Sequence, residues 1–170
     1  MRIAPTLAAI AIAALPATAF AQAVPGVSAQ INGSSGEEIG QISVTPTPSG
    51  YLHVVVSATG IETGTHAIHF HETGICEGDF TSAGGHIAGD MQHGILVEGG
   101  PHPGDLPNAV VQDDGLLAEE AFDDRITLEE MNDADGSAFI IHAGADDYES
   151  QPSGDAGGRV GCAVIYPPAS

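Results

Sequence analysis

Residues 72–108 show no hydrophobic period, neither the alternation of a strand nor the 3.6-residue repeat of a helix. Nine glycines and three prolines fall in that stretch, and both residue types interrupt regular elements. A loop this long in a compact domain is uncommon and is usually either functional or disordered. The flanking segments read as strands. Residues 51–58 (YLHVVVSA) are β-branched and bounded by Gly50 and Gly60. Residues 39–44 alternate imperfectly, residues 65–71 continue the pattern, and strand signals return at 109–111, 138–142 and 159–166. Residues 126–131 (ITLEEM) fit a short helix or a strand, and Asp133 to Gly136 reads as a turn. With 5% aromatic residues and no Trp, the profile favours a loop-rich all-β domain over a helix bundle.

The N-terminus reads differently. Arg2 precedes an unbroken apolar run at residues 7–15, then Pro16 and the small-x-small sequence Ala19-Phe20-Ala21. This is the pattern of a secretory signal peptide, and the run is too short to span a bilayer. Cleavage is expected after Ala21, with Ala23 as second choice, which leaves residues 22–170 as one domain. A periplasmic or secreted location follows. The chain carries 23 acids against three Arg and no Lys, a formal net charge of -20. Nucleic acid and anionic membrane are excluded as partners, because both require basic patches. The acids of residues 113–135 read as a solvated face. The 42% hydrophobic content argues against disorder despite the charge. In an exported chain Cys76 and Cys162 form one disulfide in the simplest pairing, with two free thiols as the alternative.

The histidines carry the chemistry. Six of the eight lie between His66 and His102, in a window that also holds Asp105. Imidazoles at this density beside a carboxylate read as a metal site. In a strand, His69 and His71 share one face, so both rings can reach one ion. His86, His93, His102 and Asp105 together supply four N/O ligands, a closed tetrahedral set suited to Zn²⁺. His142 ends the 138–142 strand and is available to the His69/His71 pair.

Taken in order, the segments GTHAIHFH (64–71), SAGGH (82–86), HG (93–94), GPHPGDLPN (100–108), IHAGADDY (141–148) and QPSGDAGGRVGC (151–162) resemble the copper/zinc superoxide dismutase family, in particular its bacterial periplasmic branch. The resemblance implies an eight-stranded, flattened Greek-key β-barrel, an immunoglobulin-like sandwich with long metal-binding loops. It implies His69, His71, His86 and His142 as copper ligands. His86, His93, His102 and Asp105 are the implied zinc ligands, with His86 bridging the two metals. Asp146 matches the carboxylate that links a copper-ligand histidine to a zinc-ligand histidine, here His69 and His93. Arg159 matches the guanidinium that docks the substrate anion, and Cys76 with Cys162 matches the family's intrasubunit disulfide. His66 is expected to be structural, and His53 to be a solvent-facing strand residue. The implied reaction converts two superoxide anions to dioxygen and hydrogen peroxide, with Arg159 and His86 as the catalytic side chains.

Two departures stand out. The interval from His86 to His93 is one residue shorter than is usual in the family, so a differently shaped zinc loop is expected. Glu149 occupies a segment where bacterial relatives often carry a Lys. With Arg125 and Arg159 as the only cations after cleavage, long-range attraction of an anion is expected to be weak. A metal-storing relative without activity would lose copper ligands or the Arg, and this chain keeps His69, His71, His86, His142 and Arg159. A zinc hydrolase needs an open zinc position, and the four-ligand set leaves none. The active form is expected to be a monomer or a homodimer.

Overall fold

The computed structural model describes residues 25–170; the expected signal peptide and its cleavage site lie outside the described residues. Nine antiparallel strands carry the chain: β1 (Val27–Gly33), β2 (Glu38–Pro46), β3 (Leu52–Ala58), β4 (Gly64–His66), β5 (Ile68–His71), β6 (Ala109–Val111), β7 (Leu117–Asp123), β8 (Ser137–His142) and β9 (Arg159–Tyr166). Their spatial order is β4-β6-β7-β3-β2-β1-β9-β8-β5. The first and last strands of that order are consecutive in sequence, separated only by Ala67. At Ala67 the backbone changes partner: its N–H donates to the Gly144 carbonyl (2.8 Å), and its carbonyl accepts from the His142 N–H (2.9 Å). The run 64–71 therefore pairs with β6 through its first half and with β8 through its second. One run of chain closes the sheet into a barrel. Counted as a single strand it gives the expected eight; the break at Ala67 makes nine.

Alternation fills the barrel. Along β3, Leu52, Val54, Val56 and Ala58 are buried, while His53, Val55 and Ser57 are not. Ile42, Val44, Ile68, Phe70, Leu117, Phe139 and Ile141 complete the same core. β8 is buried along its whole length, because each face has its own cover. Phe139 and Ile141 enter the barrel core, whereas Ala138 and Ile140 pack with Phe80, Ala83 and Cys162 beneath the long loop. The Cys76–Cys162 disulfide pins that loop to β9.

Two strands go beyond the sequence reading. β1 (VSAQING) places the small residues Ala29 and Gly33 at two of its inward positions, so its hydrophobic alternation is faint. β7 (LAEEAFD) lies within the acid-rich stretch read as a solvated face. Most of that reading holds, since Asp113, Asp114, Glu120 and Asp124 are exposed. Asp123 does not fit it: it is buried, and it accepts from Arg125 Nε at 2.8 Å. Residues 126–131 resolve as a helix, Leu128–Met131, because Thr127 and Glu130 form a reciprocal capping box.

Candidate metal centre

The scaffold aims β5 at the site by parity. Ile68 and Phe70 point into the core, so His69 and His71 point out of it, under the long loop. That loop is stitched to the outer edge of β5 by strand-like bridges. His86 lies opposite His71 and Asp105 opposite His69. Ile87 donates to the Phe70 carbonyl (2.9 Å), and Phe70 donates to the Gly104 carbonyl (2.8 Å). A register shift at the end of β8 turns His142 toward the same place, opposite Arg159 on β9.

Two groups of potential ligands result. The ligand atoms of His69, His71, His86 and His142 lie within 4.8 Å of one another, and so do those of His86, His93, His102 and Asp105. All seven side chains are buried. His86 belongs to both groups, and its ring nitrogens divide between them. Its Nδ1 faces Asp105 Oδ1 at 2.9 Å, while its Nε2 is buried with no hydrogen-bond partner. The short interval from His86 to His93 does not prevent the second group from assembling.

The orphaned atoms form a pattern. Besides His86 Nε2, the buried ring nitrogens without hydrogen-bond partners are His69 Nδ1, His71 Nε2, His142 Nε2, His93 Nδ1 and His102 Nδ1. His93 Nδ1 lies 3.0 Å from Asp105 Oδ2 and His102 Nδ1 lies 3.3 Å from Asp105 Oδ1, without hydrogen-bond geometry. Buried polar atoms are seldom left unpaired. Six such nitrogens converging in two groups fit metal ions, and the mixture of imidazoles with one carboxylate fits zinc or copper.

In His69, His71, His93 and His142 the opposite nitrogen is held. His69 Nε2 meets Asp146 Oδ2 at 2.9 Å, and His93 Nε2 meets Asp146 Oδ1 at 3.0 Å. One carboxylate thus ties a histidine of each group. His71 Nδ1 donates to the Gly84 carbonyl (3.0 Å), and His142 Nδ1 lies 3.5 Å from the Gly157 carbonyl. Such contacts fix ring orientation and tautomer. Asp146 is itself clamped. The Asn108 side chain donates to its carbonyl (2.9 Å) and accepts from its N–H (2.8 Å), while Tyr148 OH receives the Asn108 N–H (2.8 Å).

Arg159 donates to the carbonyls of Phe80 and Gly84, the latter at 2.6 Å. Gly84 therefore orients both Arg159 and His71. Phe80 adopts a left-handed conformation (φ 66°), unusual for a bulky residue, and its carbonyl is one of the two that accept from Arg159. Arg125 contributes at the other end, donating to the Asp105 carbonyl. His66 is buried, with its ring between the carbonyls of His142 and Glu62, 2.8 Å from each. His53 is half-exposed, stacked on Phe122 and 2.6 Å from Glu120 Oε1. Neither enters the site.

Burial sets the protonation of three histidines of the first group. It pushes His69 down to about 4, His71 to about 2 and His142 to about 3. The nearby His86 ring depresses all three further, and the Arg159 charge adds to this at His71 and His142. Burial alone would raise Asp105 and Asp146, but hydrogen bonds from the histidines outweigh it. Asp105 is held well below the usual carboxylate range and Asp146 at about 2. Neutral rings beside charged carboxylates are the state that binds a cation.

The consequence for stability has a definite sign. The folded pKa of His69, His71 and His142 lies below the unfolded 6.5, so the unfolded chain takes up protons that the fold refuses. Stability is full above pH 6.5 and falls as pH drops from there toward about 4 and below. Each proton is worth about 1.4 kcal/mol per pH unit, so a slope of roughly 1.4–4 kcal/mol per pH unit is expected near pH 5. Urea unfolding of chelator-stripped protein at pH 7, 6 and 5 measures it; a midpoint independent of pH across that range would contradict it.

The chain resembles known proteins along most of its length. The family described as copper/zinc superoxide dismutase (SODC) matches residues 38–165. A Cu-Zn superoxide dismutase of Caulobacter vibrioides is 38% identical over 147 residues, covering 81% of this chain and 84% of the relative. The crystal structure of a double mutant of a SOD-like protein from Bacillus subtilis superposes with a TM-score of 0.79 at 35% identity, over 82% of this chain and 96% of that one. The Cu/Zn superoxide dismutase from Brucella abortus gives a TM-score of 0.69 at 29% identity, over 82% and 99%.

Proposed function

The chain belongs to the copper/zinc superoxide dismutase family, and from that premise we propose that it disproportionates superoxide outside the cytoplasm, two anions and two protons giving dioxygen and hydrogen peroxide. The observation that carries this reading is the division of His86. One of its nitrogens faces the His69/His71/His142 group without a partner, and the other faces Asp105 in the second group.

In this assignment copper would be held by His69, His71, His86 and His142, whose free nitrogens are Nδ1, Nε2, Nε2 and Nε2. Zinc would be held by His86, His93, His102 and Asp105. Copper supplies a one-electron couple that zinc lacks. The remaining roles belong to the protein. Arg159 presents a positive charge held by two carbonyls, and superoxide is an anion that such a guanidinium can bind through its N–H groups. Whenever it is free of the metal, His86 Nε2 can hold a proton for the peroxide product, while Nδ1 keeps the ring in place. Asp146 prevents His69 and His93 from turning. The pattern of residues 1–21 supports export, and the Cys76–Cys162 bridge suits an oxidising compartment.

Metal content and dismutase activity of the mature protein, before and after loading with copper and zinc, test this reading. One copper and one zinc per chain are expected, with activity dependent on copper. His142→Ala should lose copper and activity while retaining zinc, since His142 is outside the second group. Zinc uptake with neither copper nor activity would overturn the assignment and leave a metal-binding relative.

A further inference from the structure

We propose that Gln151 is a positioning residue for His93, and that its side-chain amide sets how tightly the chain holds zinc. The proposal rests on the reading of His86, His93, His102 and Asp105 as the zinc set. Gln151 Oε1 accepts from the His93 N–H at 2.9 Å. Gln151 Nε2 donates to the His93 carbonyl at 2.8 Å and to the Glu149 carbonyl at 3.0 Å. One side chain, 58 residues away in sequence, thus engages both main-chain polar groups of a buried histidine.

The need for such a clamp is local. No helix or strand runs through His93, so no regular ladder fixes its backbone. The ring is fixed at Nε2 by Asp146, but a ring held at one nitrogen can still move with its Cα. With Gln151 in place, residues 146–151 grip His93 at three points: Nε2, N–H and C=O. Only Nδ1 remains, and it faces His86, His102 and Asp105. Gly94 continues the contact. A Cβ there would stand 2.0 Å from the Tyr148 carbonyl, so the two loops meet backbone to backbone.

Gln151 is presented by a preformed turn. Asp147 Oδ1 accepts from the N–H groups of Glu149 (2.9 Å) and Ser150 (2.8 Å), and Ser150 Oγ donates to Asp147 Oδ2 (2.6 Å). The Gly154 N–H then closes on the Ser150 carbonyl at 2.7 Å. The chemistry demands an amide. It offers an acceptor and two donors in one plane, whereas a carboxylate would turn an oxygen toward two carbonyls. Partners of this kind, one step removed from the metal, commonly change affinity by about 10- to 100-fold.

The test measures zinc affinity of the mature chain by chelator competition, for wild type, Gln151→Ala, Gln151→Glu and His93→Ala. The visible spectrum of Co²⁺ loaded in place of zinc is recorded for each. Gln151→Ala is expected to bind zinc roughly tenfold or more weakly, with altered Co²⁺ bands. Gln151→Glu, nearly isosteric, should lose at least as much, and it carries the test if the alanine variant folds poorly. A residue that only stabilised the fold would leave the folded protein's zinc affinity and Co²⁺ spectrum unchanged, and that result overturns the proposal. If wild type takes no zinc, or His93→Ala binds it as tightly, the zinc assignment itself fails and the proposal falls with it.

Discussion

Adding one methyl group at Gly154 is expected to remove most of the chain's hold on zinc. A Cβ there would lie 1.9 Å from Asp146 Oδ1 and 2.8 Å from His93 Nε2, pressed against the hydrogen bond that joins them. Something must shift, and the atoms in the way belong to the carboxylate that orients His93 and His69. Gly154 also has φ +71°, where any side chain is strained. Gly157 separates the two effects. Its φ is +76°, but a Cβ there meets only the Ala143 Cβ at 3.9 Å. Both alanine variants carry the conformational penalty, about 1–2 kcal/mol, and only Gly154→Ala adds the collision. Zinc affinity is expected to fall by about 10- to 100-fold in Gly154→Ala and to stay near wild type in Gly157→Ala. Metal analysis after equilibrium dialysis decides it. Equal loading of the two variants would show that the Asp146–His93 link does not control the site.

The second large effect is on stability. The Cys76–Cys162 bridge spans a sequence separation of 86 residues. In the chain-entropy account, closing a loop of that size stabilises the fold by about 4–5 kcal/mol. The double variant Cys76→Ser/Cys162→Ser should melt roughly 10 °C or more below wild type. Function should suffer beyond stability. Phe80 and Gly84, whose carbonyls position Arg159, lie on the loop that the disulfide holds against β9. Calorimetry together with dismutase activity well below the melting point separates the two. A serine pair that melts with wild type would refute the tether.

Much of this was legible in the sequence, and for physical reasons. Strands β2, β3, β8 and β9 announced themselves through β-branched residues between turn formers. The outward pairing of His69 and His71 follows from the two-residue period of a strand, with Phe70 between them as the inward marker. β7 was hidden because acids break its alternation: Glu119 and Asp123 fall on the inward parity with Leu117 and Ala121, while the apolar Ala118 and Phe122 face outward. Its buried Asp123 gave no signal at all, since only the later turn brings Arg125 back onto it. His142 is legible as a histidine at a strand end that could join the His69/His71 pair, but Asp146 is placed at the centre by resemblance alone, because no periodicity links residues so far apart. Gln151, Asn108 and Gly154 escaped for a related cause. Each acts on backbone or side-chain atoms of another loop, and such contacts exist only once the barrel has brought the loops together. The QPSG segment was recognisable, yet nothing in its composition says that its glutamine reaches His93.

The closure of the barrel has a consequence for how this protein avoids sticking to itself. An exposed sheet edge is a template for pairing with another chain. Here the run 64–71 seals one side of the seam by pairing with β6 and β8, and the outer edge of β5 is covered by residues 86–87 and 104–105. Two of those covering residues, His86 and Asp105, are also members of the metal groups. The cover on that edge of the sheet therefore includes two residues that the proposed assignment gives to the metals. Under that assignment, the ions and the backbone bonds of residues 87 and 104 would hold the same cover in place against pairing with another molecule.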